Sequence, residues 1–406
     1  MERLADRLTF ITTWRRIWLG LLPFDYAVRN LGRSRKRLVA TVLASALVVS
    51  LVVAAASFVR GMQQSLVIGG DNSNVILVAA GSEESVERSQ IAGNAPSQVA
   101  ADLPGIKTRL GVTYISPEIH AALIVRPQKD SSEELRAVMR GFTPQAFLVH
   151  PRVQIVEGRT PRPGHDEIMV GGLVADMTGL PADRLRLGNT LWFDNRAWTI
   201  VGRFRARGTV MDAEVWVPLT DLQVATKRET VSCVVLSLGN AEFGDVDAFT
   251  KQRFDLELSA VRETDYYASI MKFYKPVQMM IWTTAFLVAL AGLFGGLNTM
   301  YAAFAARVRE LGMLQSLGYS RSAILVSLVQ ESLLMASAGT LLGAALCLLI
   351  LDGQAVRFSM GVFQLVVDHR VMFLGVISGL LMGILGALPP AWKCLRMPIT
   401  EALKAA

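Results

Sequence analysis

Cysteine, histidine and charge are all scarce in this chain. Three cysteines in 406 residues cannot make a disulfide scaffold. Cys347 falls in a long apolar run and Cys394 beside another, which leaves Cys233 alone in the mixed middle of the chain. The four histidines, His120, His150, His165 and His369, show no ligand spacing, so each is read as a surface residue and no metal ligand is assigned. There is no Gly-x-Ser-x-Gly elbow and no Ser/His/Asp grouping, so no residue is assigned a catalytic role. No Gly-Lys pair occurs anywhere, which excludes a nucleotide-binding P-loop. Charged residues make up 18% against about 25% in a usual soluble domain. Apolar residues reach 52%, and mean hydropathy is +0.38. Disorder and collagen are excluded by the same numbers.

The apolar residues are concentrated in four runs. Leu38–Val59 carries no charge over a length that matches the roughly 20 residues a bilayer core requires. Three more runs follow near the other end, at Val277–Ala306, Ala323–Leu351 and Val371–Ala391. The first of these is roughly 45 Å as a helix, longer than the hydrocarbon layer, so it is expected to project beyond it. The expected fold class is a membrane α-helical protein with four transmembrane helices and a large α+β domain inserted between the first and second. Residues 60–276 form that insert, 307–322 a loop between spans two and three, and 352–370 a short loop between spans three and four. Ala54-Ala55-Ala56 resembles a signal-peptidase site. The basic region before it and the apolar stretch are both too long for that reading, and a retained anchor is expected.

Basic residues set the orientation. Nine precede the first run (Arg3, Arg7, Arg15, Arg16, Arg29, Arg33, Arg35, Lys36, Arg37). Arg307, Arg309 and Arg321 lie in the 307–322 loop, and Lys393, Arg396 and Lys404 in the final segment. Those 15 bases face five acids, whereas residues 60–275 hold 24 bases and 26 acids. Positive charge stays in the cytoplasm, so both termini are expected inside and the insert outside. The net +7 is then a matter of topology and gives no argument for nucleic acid. Within residues 1–37, Trp14, Ile17, Trp18, Leu21, Ala27, Val28 and Leu31 recur at helical spacing between charged residues. Such a segment is expected to lie in the lipid headgroup layer, broken or bent at Pro23.

The insert reads as mixed strand and helix. Asn74–Ala79, Ala121–Val125, Thr190–Phe193, Trp198–Val201, Val215–Val217 and Ser232–Leu238 are β-rich runs, with a hairpin turn expected at Asp194-Asn195-Arg196. Helices are expected at Glu83–Ile91, Gly172–Thr178 and Asp245–Phe254. Gly158–Gly171 is a Gly/Pro-rich loop leading into a short apolar run.

The loop between spans two and three carries the most information. Val308, Leu311, Leu314, Gln315 and Leu317 would form the apolar side of a short helix, with Arg307, Arg309 and Glu310 near one end. Gly318 supplies a helix stop, and Ser320 can cap the next helix. Such a helix suits a groove of a cytoplasmic partner, or equally a re-entry turn resting on lipid. Glu331 is the sole ionisable group well inside an apolar run, so a paired, neutral or interfacial state is expected. Small-xxx-small patterns at Gly292/Gly296, Gly339/Gly343 and Gly375/Gly379/Gly383 would let spans approach closely.

The stretch RVRELGMLQSLGYSRSAI, followed by Glu331, resembles the FtsX-like permease signature. The final segment, with Pro-Ala-Trp, a basic stretch and Glu-Ala-Leu, resembles the same family's ending. EGRTPRPGHDEIMVGGLVADMTGL and LRLGNTLWFDNRAWTIVGRF resemble the MacB-type periplasmic core domain. The resemblance implies an ABC transporter permease, multi-pass in the bacterial inner membrane, that relays ATP-driven motion across the membrane. It implies that Arg307, Arg309, Glu310, Leu311, Gly312, Leu314, Leu317 and Gly318 contact the ATPase. It also implies two copies of a separate cytoplasmic ATPase that bind ATP and Mg, no cofactor in this chain, and a second permease copy or a sister permease. A periplasmic adaptor or substrate-binding protein is a further possible partner. The implied cargo is amphiphilic: lipoprotein, lipid, peptide or hydrophobic toxin. The alternative is a transmembrane regulator that activates a cell-wall hydrolase, and a third reading is a membrane sensor without an ATPase.

Overall fold

The computed structural model describes residues 22, 24–31, 35–67, 71–358 and 361–404. The helices are α1 (Phe24–Leu31), α2 (Arg35–Val67), α3 (Ala95–Asp102), α4 (Ala146–Val149), α5 (Val174–Thr178), α6 (Leu219–Thr226), α7 (Phe243–Gln252), α8 (Glu263–Ala305), α9 (Val308–Ser316), α10 (Arg321–Ile350), α11 (His369–Leu395) and α12 (Ile399–Lys404). Trp14, Ile17, Trp18 and Leu21 of the amphipathic segment lie outside the described residues; α1 is its last part.

The chain divides into two units. A helical unit holds residues 1–59, 277–352 and 366–406, and an α+β unit holds 60–276 and 353–365. The four long apolar runs form α2, α8, α10 and α11, each long and apolar enough to cross a membrane. Helix is the form that such runs must take in lipid, because it satisfies every backbone N–H and C=O within the segment. Ser320 caps α10 by accepting the Ala323 N–H at 3.2 Å, and Asp368 caps α11 from the N–H groups of Arg370 and Val371.

Close backbone approach explains most of the span glycines. A Cβ on Gly339 would lie 2.5 Å from the Val42 carbonyl oxygen, and one on Gly343 would lie 2.6 Å from that of Ala46. These two glycines of α10 therefore seat directly on the α2 backbone. On α11, Gly375 faces Val53, Gly379 faces Thr340 and Val49, and Gly383 faces Ala336. Gly292 of α8 meets Val48, whereas among the described residues nothing lies within 4 Å of a Cβ on Gly296. Helix α8 is the least covered of the four within the chain.

The α+β unit is built on the strands β1 (Asn74–Ala79), β2 (Thr108–Arg109), β3 (Val112–Thr113), β4 (Ile115–Val125), β5 (Leu135–Phe142), β6 (Gln154–Gly158), β7 (Glu167–Gly171), β8 (Thr190–Phe193), β9 (Arg196–Arg205), β10 (Glu214–Pro218), β11 (Cys233–Ser237) and β12 (Leu258–Arg262). Ten of them make one mixed sheet in the order β12-β1-β11-β4-β5-β10-β7-β9-β6, with β8 paired to β9. The β8–β9 turn sits at Asp194 and Asn195, both at positive φ, as a tight hairpin of Asp-Asn type requires. Val75, Leu77, Ile119, Met139, Val170, Trp198, Ile200 and Val217 fill one core cluster.

Two expectations fail here. Glu83–Ile91 is a series of turns, because Ser89 Oγ accepts the Ala79 N–H at 2.9 Å and Ile91 bridges to Val231. Local serine hydrogen bonding and tertiary pairing override the helical pattern. His150 is buried and His120 half-buried, because both lie among ionisable side chains that take their polarity. Residues 353–365 form a hairpin, β13 (Ala355–Phe358) and β14 (Gly361–Gln364), inside the α+β unit, with Val362 packed against Leu173, Met177 and Ala213.

Candidate functional site

Helix α9 is short because both of its ends are fixed. Arg307 is its N-terminal flanking residue, and Gly318 adopts φ +94°, a left-handed stop that suits glycine. The Gly318 N–H donates to the Gln315 carbonyl at 3.1 Å and the Tyr319 N–H to that of Leu314 at 3.2 Å, which satisfies the last turn.

The helix turns its apolar stripe inward. Val308 and Leu311 are buried with Met300, Phe304, Ile324, Leu328, Ala391 and Ala402 in the core of the helical unit. Gly312 presses against α12, where an added Cβ would meet the Ala402 methyl at 3.0 Å. Leu314 and Gln315 are half-buried. Arg309, Met313, Ser316 and Leu317 point out, with Leu317 75% exposed. Their spacing of four, three and one residues makes one outer face. Of the eight residues assigned to partner contact, only Arg309, Leu317 and Gly318 are therefore fully presented. Met313 shares that exposed face, which an amphipathic pattern alone does not single out.

Arg307 and Glu310 serve a different end. Arg307 Nε donates to Glu310 at 3.1 Å and its NH1 donates to Glu331 Oε2 at 2.8 Å. Arg37 of α2 donates to the other Glu331 oxygen. Tyr26 of α1 donates to Glu310 at 2.5 Å and accepts from Arg307 at 3.2 Å. Glu331 is 1% exposed and each arginine 13%. Two guanidinium groups and two carboxylates balance, the condition under which charges can be held away from water. Burial alone would lower the Arg307 pKa, but its bonds to Glu310 and Glu331 hold it above the ordinary value. Burial, then the bond to Glu310, raises that of Tyr26. The network ties α1, α2, α9 and α10 together at Glu331. Glu331 was legible as a singular acid, but its partner Arg37 and the Tyr26 that completes the network at Glu310 were not, since each pairs across nearly 300 residues of sequence.

The family model for the MacB-like periplasmic core domain matches residues 38–248, more than half of the chain. That for the FtsX-like permease C-terminal region matches residues 282–399, which include α9 and its anchor. The chain belongs to the MacB/FtsX-like family of ABC transporter permeases. It is 23% identical over 389 residues to the "Uncharacterized ABC transporter permease YknZ" of Bacillus subtilis (strain 168), covering 91% of this chain and 95% of that protein. It is 22% identical over 402 residues to "Macrolide export ATP-binding/permease protein MacB" of Shewanella sp. (strain W3-18-1), and the match takes in 94% of this chain but only 60% of that longer protein. Among solved structures, the periplasmic region of MacB from Actinobacillus actinomycetemcomitans is similar at a TM-score of 0.38 and 10% identity, over 50% of this chain and 95% of that one. The extracellular domain of YknZ is similar at 0.35 and 13% identity, over 46% of this chain and 99% of that one.

Proposed function

We propose that this chain is the permease subunit of an inner-membrane ABC transporter that relays ATP-driven conformational change from a separate ATPase to its α+β domain outside the membrane. Export or extraction of amphiphilic molecules is the work such a relay would do. The observation that carries this reading is the division of α9 into two faces. Its inner face is sunk in the unit's own core, and its first turn is tied through Arg307 to Glu331 of α10. Its outer face offers Arg309, Met313 and Leu317, a small apolar patch with a cationic rim that suits a groove on a soluble partner. A push on the outer face is passed to α10 by a salt bridge and to α12 by packing at Gly312, so the helix acts as a rigid grip. In this reading ATP and Mg are bound by the partner, two copies of which serve a pair of permeases with both termini in the cytoplasm.

Coexpression with a candidate cytoplasmic P-loop ATPase tests the proposal. The complex should co-purify, and its ATPase activity should depend on the outer face of α9. Met313→Asp combined with Leu317→Asp should abolish association while the permease stays folded. Retained association in that double variant would refute the assignment of the face. Cell-wall hydrolase activation with no change in export would instead favour a regulator.

A further inference from the structure

A second cluster of ionisable side chains lies wholly within the α+β unit, and the relay does not use it. Strand register creates it. Cys233 of β11 is the antiparallel partner of Glu118 on β4. His120 stands two residues further along β4, on the same face, opposite Arg140 of β5. Three potential ligand atoms of three chemical kinds therefore converge: the Glu118 carboxylate, a His120 ring nitrogen and the Cys233 thiol lie within 4.8 Å of one another.

The surroundings of this trio are finished, except at one atom. Glu118 is fully buried. Its Oε1 accepts from Ser116 Oγ at 3.0 Å and lies 2.9 Å from His150 Nε2, and its Oε2 accepts from Arg140. Arg140 is neutralised by a two-pronged pair with Glu214 at 2.6 and 2.8 Å. His120 Nε2, in contrast, is buried without a hydrogen-bond partner, although it lies 3.5 Å from Glu118 Oε2. A buried ring nitrogen left unpaired beside a thiol and a carboxylate calls for a missing partner. Burial, and then the Arg140 charge, lower the His120 pKa.

We propose that Glu118, His120 and Cys233 form a site for a divalent metal ion of the zinc class. Sulfur, imidazole nitrogen and carboxylate oxygen are the donor types that zinc takes. On binding, the Cys233 thiol gives its proton to solvent, and the thiolate and the Glu118 carboxylate balance the two charges of the ion. Arg140 and His150 then act as the outer hydrogen-bond donors that orient a ligating carboxylate. Ligand atoms around a tetrahedral zinc stand about 3.4 Å apart, so the trio must close by about 1 Å, a side-chain adjustment. The fourth position is available from a cavity of about 200 Å³ in the same unit, lined by His120, Arg140, Tyr266, Tyr267 and Phe363. The ion would staple β4 to β11, the central pair of that half of the sheet.

The full chain, purified in detergent and stripped with a chelator, tests this with Zn²⁺ and Co²⁺ as probes. Elemental analysis should find one zinc per chain after desalting. Cobalt should give a thiolate charge-transfer band, and zinc should raise the melting temperature. Cys233→Ser should remove the band. His120→Ala, which removes only the long 3.5 Å contact to Glu118, should still fold in chelator and bind zinc at least about a hundredfold more weakly. Absence of retained zinc would overturn the site, as would a cobalt band that survives Cys233→Ser through Cys347 or Cys394. Should Cys233→Ser fail to fold, the His120→Ala affinity decides: native-like zinc binding there also overturns it.

Discussion

Two buried glutamates organise the two units, and they are buried on different terms. Glu331 in the helical unit meets two arginines, and a tyrosine and a second carboxylate complete the network around Arg307. Glu118 in the α+β unit meets an arginine, a serine and a histidine, with a second histidine and a thiol waiting beside it. The first cluster is closed at its carboxylate: both Glu331 oxygens are taken by guanidinium groups, and the buried atom left without a partner, Arg37 Nε, is a donor. In the second, the atom without a partner is a ring nitrogen, His120 Nε2, 3.5 Å from Glu118 Oε2. A charge-balanced ion cluster fixes geometry. A cluster with an unmet lone pair suits a ligand.

Breaking the closed cluster should have the largest effect. Glu331→Ala leaves Arg37 and Arg307 without their shared carboxylate and should cost about 3–5 kcal/mol, the usual penalty for breaking a buried pair from one side. A thermal melt of the detergent-solubilised chain reads it, and an unchanged melt would show that the arginines find water instead. His120→Ala in chelator makes the contrast on the other side, with a smaller loss expected, since the ring's one ionic contact is long, at 3.5 Å.

Next in size come the glycines that carry α10 along α2. Gly339→Leu drives a side chain into the Val42 carbonyl and should cost about 1–3 kcal/mol or more. Gly296→Ala, with open space around it, should be neutral or slightly stabilising, since alanine favours helix. Equal effects at the two positions would mean that the helices are not seated as described. On the outer face of α9, Met313→Asp with Leu317→Asp should change stability by less than about 0.5 kcal/mol, since both side chains are exposed. Its effect should fall on partner binding alone.

The smallest effect is a pH dependence at the sheet surface. Arg159 grips Glu167 with two hydrogen bonds, at 2.6 and 2.5 Å, and holds its pKa at about 2 against an ordinary 4.5. A carboxyl lowered on folding stabilises above its unfolded pKa, and that contribution is lost as pH falls from 4.5 towards 2. Glu167→Gln should therefore melt slightly below the native chain at pH 7, with the gap closing in acid. A constant gap across that range would show that the carboxylate charge is not responsible.

Much of this arrangement was legible in the sequence, and the reasons are local. Leu38–Val59 and its three counterparts announce helices because uninterrupted apolar composition is independent of neighbours. Gly318 and Ser320 reveal the end of α9 and the start of α10 because helix stops and caps act within four residues. The Asp194-Asn195 turn is legible for the same reason. What depends on register or distant pairing was not legible. Cys233 and Glu118 become neighbours only through the β11–β4 ladder, so a lone cysteine and scattered histidines looked inert. β5 was missed because Arg136 and Arg140 break its apolar alternation, and Arg140 is buried only because Glu118 and Glu214 receive it. The sidedness of α9 was misjudged because Val308 and Leu311 are as apolar as any docking residue until α12 and the spans cover them.

The most direct measurement places a photo-crosslinking side chain at Leu317 and, separately, at Leu311 in cells that carry the candidate ATPase. The account predicts a covalent adduct to the ATPase from position 317 and only intrachain products from position 311. An adduct from neither position, or the same adduct from both, would contradict it.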